Sequence, residues 1–262
     1  MILKRLTGKA FASLAMLAII TAAFAQGPDL EREQRLADQI VDDIFDGEPV
    51  MLKAGEHEFL SIYTEAGEGA KGAAIIMHGR GFHPDWPDAI NPLRVGLTEN
   101  GWNTLSLQMP VLEKEAKYND YVFVFPDAYP RIEAAIKYAR EQGNDKVVLI
   151  AHSCSVHMVM SWINKKGAQG ADAVVGIGMG ATDYKQPMLE DFPFSRITVP
   201  VLDIYGEDDY PAVHRMAPDR LAAIQAAGNA KSAQLVVPGA DHYFKGKGET
   251  LVDAVSSWLD TL

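Results

Sequence analysis

Cysteine is nearly absent from these 262 residues, with Cys154 the single one. One thiol closes no disulfide within the chain and builds no cysteine-based zinc site. Positive charge is also scarce: 24 Lys and Arg stand against 35 Asp and Glu, for a formal charge of −11. Such a surface repels phosphate backbones and anionic lipid, so nucleic acid is not an expected partner. The histidines and carboxylates show no convincing metal-ligand spacing, so neither metal nor cofactor is expected. Gly176-x-Gly178-x-x-Ala181 lacks the helix and the downstream acid that a dinucleotide loop needs. Repeats and low-complexity tracts are missing too.

What is present begins at the N-terminus. Met1 to Lys9 carries Lys4, Arg5 and Lys9, and Ala10 to Ala23 is apolar except for Ser13 and Thr21. Ala23-Phe24-Ala25 then offers a small-x-small cleavage site. Residues 1–25 therefore read as a secretory signal peptide. The apolar stretch is shorter than the roughly 20 residues a membrane span needs. An uncleaved N-terminal anchor is the alternative. Cleavage would remove those three basic residues and no acidic one, taking the formal charge from −11 to −14. The expected location is exported, periplasmic or secreted, without stable membrane insertion after cleavage.

Residues 26–55 read as an N-terminal helical arm, with helical spacing over Asp29 to Phe45, and residues 56–262 as one domain. Strand-like runs fall at Glu56–Thr64, Ala73–Met77, Trp102–Met109, Val147–Ile150, Ala173–Met179, Val199–Tyr205 and Gln234–Val237. Helical stretches fall at Ala89–Glu99, Pro126–Gln142, Val156–Lys165, Ala212–Ala227 and Thr250–Leu259. Strands alternating with helices predict a mostly parallel central sheet flanked by helices on both faces. Right-handed crossovers place the carboxyl ends of the parallel strands along one edge, where sites form in open α/β sheets.

Three reactive side chains fall just after such strands. Ser153 follows Val147–Ile150 in Ala151-His152-Ser153-Cys154-Ser155. Asp209 follows Val199–Tyr205 in Gly206-Glu207-Asp208-Asp209, and His242 follows Gln234–Val237 in Gly239-Ala240-Asp241-His242. A serine hydroxyl becomes a nucleophile when a neighbouring base takes its proton. Imidazole suits that work near neutral pH, and a carboxylate on its far nitrogen fixes the tautomer. Cys154 competes as nucleophile, but the register puts Ser153 at the tip of the turn. Asp208 and, more weakly, Asp183 compete for the acid. His152 reads as a hydrogen-bonding support, His157 as packed in a helix, His78 as a brace, and Asp241 as a turn cap.

HGRG at 78–81, the S-x-S turn, GEDD at 206–209 and GADHYF at 239–244 together resemble the α/β-hydrolase fold over residues 56–262. Within it the chain resembles a bacterial group of α/β-hydrolase-like proteins of unknown function. The resemblance implies Ser153, Asp209 and His242 as a catalytic triad. It also implies an oxyanion hole from the backbone N–H of Cys154 and that of Arg80, with Gly81 the alternative. The implied activity is a serine hydrolase, by default on carboxylic esters through an acyl-enzyme. Thioesters, lactones or peptides are alternatives, and so is a non-catalytic binding protein. Phe82, Trp86, Tyr210, Tyr243 and Phe244 flank the site and either line a pocket or pack.

The departure from G-x-S-x-G lies in Ala151 and Ser155. Both positions are crowded at such a turn, so both must be small. Ser155 is the harder fit, and its hydroxyl is expected to bond a carbonyl in the first turn of its helix. Residues 180–198 are too few for a large cap domain, which leaves an open cleft for small or soluble esters.

Overall fold

The computed structural model describes residues 27–183 and 185–262; the expected signal peptide lies outside them. Eight strands form one sheet: β1 (Glu48–Ala54), β2 (His57–Thr64), β3 (Ala73–Met77), β4 (Asn103–Leu107), β5 (Val147–His152), β6 (Ala173–Ile177), β7 (Val201–Asp208) and β8 (Ala233–Asp241). Their order is β1-β2-β4-β3-β5-β6-β7-β8. The β1–β2 and β2–β4 pairs are antiparallel, and every other pair is parallel.

Strand β3 and residues 147–151 of β5 are apolar throughout because both of their faces are covered. On β3, Ala73, Ile75 and Met77 enter one core, while Ala74 and Ile76 enter the other. On β5, Val147, Leu149 and Ala151 follow the first pattern, and Val148 and Ile150 the second. A strand buried on both faces loses the alternation of a half-exposed one. Helices α4 (Phe125–Glu141) and α5 (Cys154–Lys166) cover the first face; α2 (Ile90–Glu99) and α7 (Gly248–Leu259) cover the second. Among the described residues, a short α3 (Tyr118–Tyr121) and α6 (Pro211–Ala226) complete the α-helices beyond the N-terminal one.

The expected arm at 26–55 is helical only in part. Helix α1 (Leu30–Ile40) starts from Asp29, whose side chain accepts the Arg32 amide at 2.9 Å. Residues Glu48–Ala54, expected in the arm, are instead the edge strand β1. Pro49 explains why the strand is hard to read: it donates no ladder bond and is tolerated there because β1 is an edge. Helix α1 is docked by Glu33, which is buried and paired with buried Arg131 at 2.9 and 3.0 Å. Arg32 reaches the carbonyls of Leu112 and Gly81. Segment 180–198 has no helix beyond the turn Phe194–Arg196 among its described residues, so nothing like a cap domain stands there. No helix of the described residues is long and apolar enough to cross a membrane.

Candidate active site

The chain leaves β5 and enters α5 through a single residue, Ser153. Its backbone has φ 56° and ψ −116°. Among the described residues it shares a positive φ with only one other non-glycine, Phe244. Such a conformation costs on the order of 1–3 kcal/mol and persists where the surroundings impose it. Here Ser153 N–H donates to the Ile177 carbonyl at 2.8 Å, tying the turn to β6. The tight turn lifts the hydroxyl off the sheet edge.

The ends of β7 and β8 meet it there. The Ser153 hydroxyl lies 2.8 Å from His242 Nε2, and His242 Nδ1 lies 2.6 Å from Asp209 Oδ1. Asp209 Oδ1 also accepts the Tyr210 amide at 2.6 Å. A carboxylate on Nδ1 makes that nitrogen the donor, so Nε2 is left as the acceptor facing Ser153. The Asp209 and His242 side chains are shielded from solvent, whereas Ser153 is half-buried. Gly178 makes room for the pair: a Cβ there would stand 2.8 Å from His242 Cε1 and 3.3 Å from Asp209 Oδ2. Tyr210 stacks on the imidazole with centroids 4.2 Å apart, and its hydroxyl is 2.6 Å from that of Tyr243.

The competing residues separate cleanly. Asp208 is exposed at the end of β7 and pairs across the ladder with Asp241. Asp183 reaches the cavity but binds Arg80 through both oxygens, at 2.7 and 3.1 Å, and accepts the Tyr118 amide at 2.7 Å. Asp241 accepts the amides of Tyr243 and Lys245, capping its turn. Cys154 packs into the core, and burial pushes its thiol up to about 12. The thiolate, not the thiol, is the nucleophile, so Cys154 is inert near neutrality.

Three buried histidines surround the site without joining it. His78 Nε2 accepts the Met109 amide at 2.9 Å, so Nδ1 carries the hydrogen donated to the Gly79 carbonyl at 2.8 Å. His152 Nε2 donates to the His242 carbonyl at 2.9 Å, and His157 Nε2 to the Ala181 carbonyl at 3.2 Å. Burial lowers the pKa of His78 to about 3 and those of His152 and His157 to about 4. Near neutral pH all three are therefore uncharged.

A cavity of about 180 Å³ opens over Ser153. Cys154 and Arg80 line it; Gly81 does not, and its Cα instead faces the Arg32 guanidinium. Phe82, Tyr210 and Tyr243 line it as well. Trp86 stands one layer back, stacked on Phe82 with centroids 3.8 Å apart. Phe244 is fully buried in the core beneath. Sequence reasoning missed Tyr118 and Thr182, which complete the wall. Tyr118 lies in the polar, aromatic connection between β4 and α4, and Thr182 in the connection between β6 and β7, which carries no such signal. Among the described residues no group of three or more His, Cys, Asp or Glu could hold a metal ion.

Ser155 is buried and fits without displacing the turn. Its hydroxyl donates to the carbonyl of His78, in the loop after β3. The expected partner in the helix's own first turn is therefore replaced by one across the sheet edge.

Comparison with known proteins accords with this architecture. A model of the family described as "Protein of unknown function (DUF3530)" matches residues 14–121 and 127–261. No curated protein sequence is significantly similar. Among solved structures, Est1E from Butyrivibrio proteoclasticus is similar with TM-score 0.61 and 16% identity, over 82% of this chain and 98% of that one. Dienelactone hydrolase from Anabaena variabilis gives TM-score 0.63 and 19% identity, over 82% and 97%. A serine hydrolase without a lid from Xanthomonas campestris gives 0.59 and 13%, over 83% and 95%. At such identities the likeness is one of fold, and the fold is that of the α/β hydrolases.

Proposed function

The chain belongs to the family described as protein of unknown function (DUF3530), and from that premise we propose that it is a serine hydrolase acting on small carboxylic esters. The observation that carries the proposal is the continuous path from Ser153 through His242 to Asp209, at 2.8 and 2.6 Å. A path of that kind lets one proton leave the hydroxyl as it attacks. The names of two of the similar structures, a dienelactone hydrolase and a serine hydrolase without a lid, support the same class.

In the proposed cycle Ser153 Oγ bonds to the substrate carbonyl carbon while His242 Nε2 takes the hydroxyl proton. Asp209 holds the resulting imidazolium. The N–H groups of Cys154 and Arg80, two residues that line the cavity, receive the oxyanion; such donors contribute about 2.7–4 kcal/mol each to the transition state. The tetrahedral species then collapses, and the leaving alcohol departs with the proton from His242. Water repeats the sequence on the acyl-enzyme and releases the acid. No metal or cofactor enters these steps. A cavity of about 180 Å³ is small beside the roughly 300–1,000 Å³ of drug-sized sites, which favours short acyl groups. The basic, apolar and A-x-A start of the chain supports action outside the cytoplasm after signal cleavage.

A fluorophosphonate probe and a series of p-nitrophenyl esters test the proposal on the mature protein. Ser153→Ala should lose both labelling and turnover, with short esters preferred by the wild type. A folded wild type that neither labels nor hydrolyses any ester would leave a binding protein as the better reading.

A further inference from the structure

The chain places serine where the elbow ordinarily has its second glycine, and that hydroxyl is put to use. Ser155 adjoins Cys154 on the elbow, and its acceptor, the His78 carbonyl, lies two residues before Arg80. Cys154 and Arg80 line the same cavity and supply the two proposed oxyanion donors from separate segments of chain. Resting on the serine-hydrolase reading, we propose that the Ser155 hydroxyl is a positioning group that ties the two halves of the oxyanion hole together.

The surroundings make the tie effective. Among the bonds that hold the loop after β3, this one joins it directly to the first turn of α5. The His78 imidazole is fixed at one end by the Met109 amide and at the other by the Gly79 carbonyl. The Gly79 carbonyl also accepts the Phe82 amide at 3.3 Å. With the His78 carbonyl held by Ser155, consecutive carbonyls at 78 and 79 are anchored, so the peptide that carries the Arg80 N–H has little freedom to tilt. On the far side, the Arg80 guanidinium is clamped by Asp183. Gly79 must remain glycine for this arrangement, because a Cβ would stand 2.9 Å from His152 Nδ1 and 3.3 Å from Ser153 Cβ. The hydroxyl bond therefore spans two elements already in close approach, and it is buried away from competing water.

Two variants test this. Ser155→Ala keeps the Cβ and removes the donor; Ser155→Gly restores the usual elbow and relieves any crowding. In p-nitrophenyl acetate hydrolysis each should lower kcat roughly tenfold, since full removal of an oxyanion donor costs about 10²–10³ and a loosened one costs less. KM should stay within about twofold. Affinity for a trifluoromethyl ketone, which forms a tetrahedral adduct on the serine, should weaken by the same factor as kcat/KM. A merely structural hydroxyl would move the melting temperature and leave that parallel absent. Folded variants with wild-type kcat would overturn the tie, as would a fall in kcat with unchanged ketone affinity. Failure of both variants to fold would do so too, by making the hydroxyl a folding requirement. Ser153→Ala in the same assay separates the two ideas: if it stays active the hydrolase reading itself fails, whereas its inactivity beside normal Ser155 variants sinks only the tie.

Discussion

Replacing Gly178 by alanine should cripple the site from behind without changing Ser153, His242 or Asp209 themselves. The glycine has φ +66°, and an added Cβ would stand 2.8 Å from His242 Cε1 and 3.0 Å from Nδ1. Carbon atoms normally rest about 3.5–4.0 Å apart, so the ring must withdraw by about 0.7–1.2 Å. The left-handed backbone adds about 1–2 kcal/mol for a residue with a Cβ. Together with the contact, the stability loss is about 2–3 kcal/mol, or roughly 4–12 °C in melting temperature for a domain of this size. A displacement of 1 Å can cost about 100-fold in rate, so kcat should fall about tenfold or more through His242. Gly228→Ala is the control. Its φ is +76°, but nothing lies within 4 Å of the added methyl. It should lose about 1–2 kcal/mol of stability and keep full activity. Thermal melts and p-nitrophenyl acetate kinetics on both variants settle the matter. Wild-type kcat in Gly178→Ala would refute the claim that this glycine holds open the space for the imidazole.

Other perturbations follow from the same structure. Glu33→Ala strands Arg131 without its buried partner and should cost about 3–5 kcal/mol in urea unfolding; Glu33→Leu with Arg131→Met should recover most of it. Cys154 should resist iodoacetamide at pH 8 in the native protein and react once unfolded, since burial holds its thiol near 12, and Cys154→Ala should keep most of the activity. His78, His152 and His157 have folded pKa values lowered from 6.5 to about 3–4 by burial. The unfolded chain therefore binds more protons than the folded one across that window. Stability should be full above pH 6.5 and fall as pH drops towards 4. Urea midpoints measured between pH 8 and 4 check this, and His157→Gln should flatten the slope.

Much of this could be read from residues alone, for physical reasons. AAIIM and VVLI are continuous apolar runs because two layers of helices bury both of their faces, and such runs announce central strands. Ser153, Asp209 and His242 are legible as a set because each follows a strand-like run, Val147–Ile150, Val199–Tyr205 and Gln234–Val237. Strand β1 was not. It is an edge with Pro49 inside it and a largely exposed face, so hydrophobic period and propensity were both weak. Asp183 was read as a rival acid, because sequence does not reveal that Arg80 reaches it from 103 positions away. For Trp86, proximity along the chain leaves pocket lining and packing both open, and the structure stacks it on Phe82, which lines the cavity in its place. The Ser155 hydroxyl was assigned a local partner because local bonds are the ones periodicity suggests, and the true acceptor belongs to another strand's loop. Long-range pairing of this kind is a property of topology, which one-dimensional patterns do not carry.

The packing around His242 bears on how a turnover would be choreographed. Tyr210 lies flat against one side of the ring, the His152 ring stands 5.1 Å away, and Asp209 grips the far nitrogen. An imidazole wedged like this has no room to spin between one half-reaction and the next. On the proposed mechanism the base therefore stays parked, and the incoming and outgoing oxygens must take turns at the same nitrogen. Ester geometry, rather than any swing of the catalyst, then decides whether a bound molecule goes forward or returns.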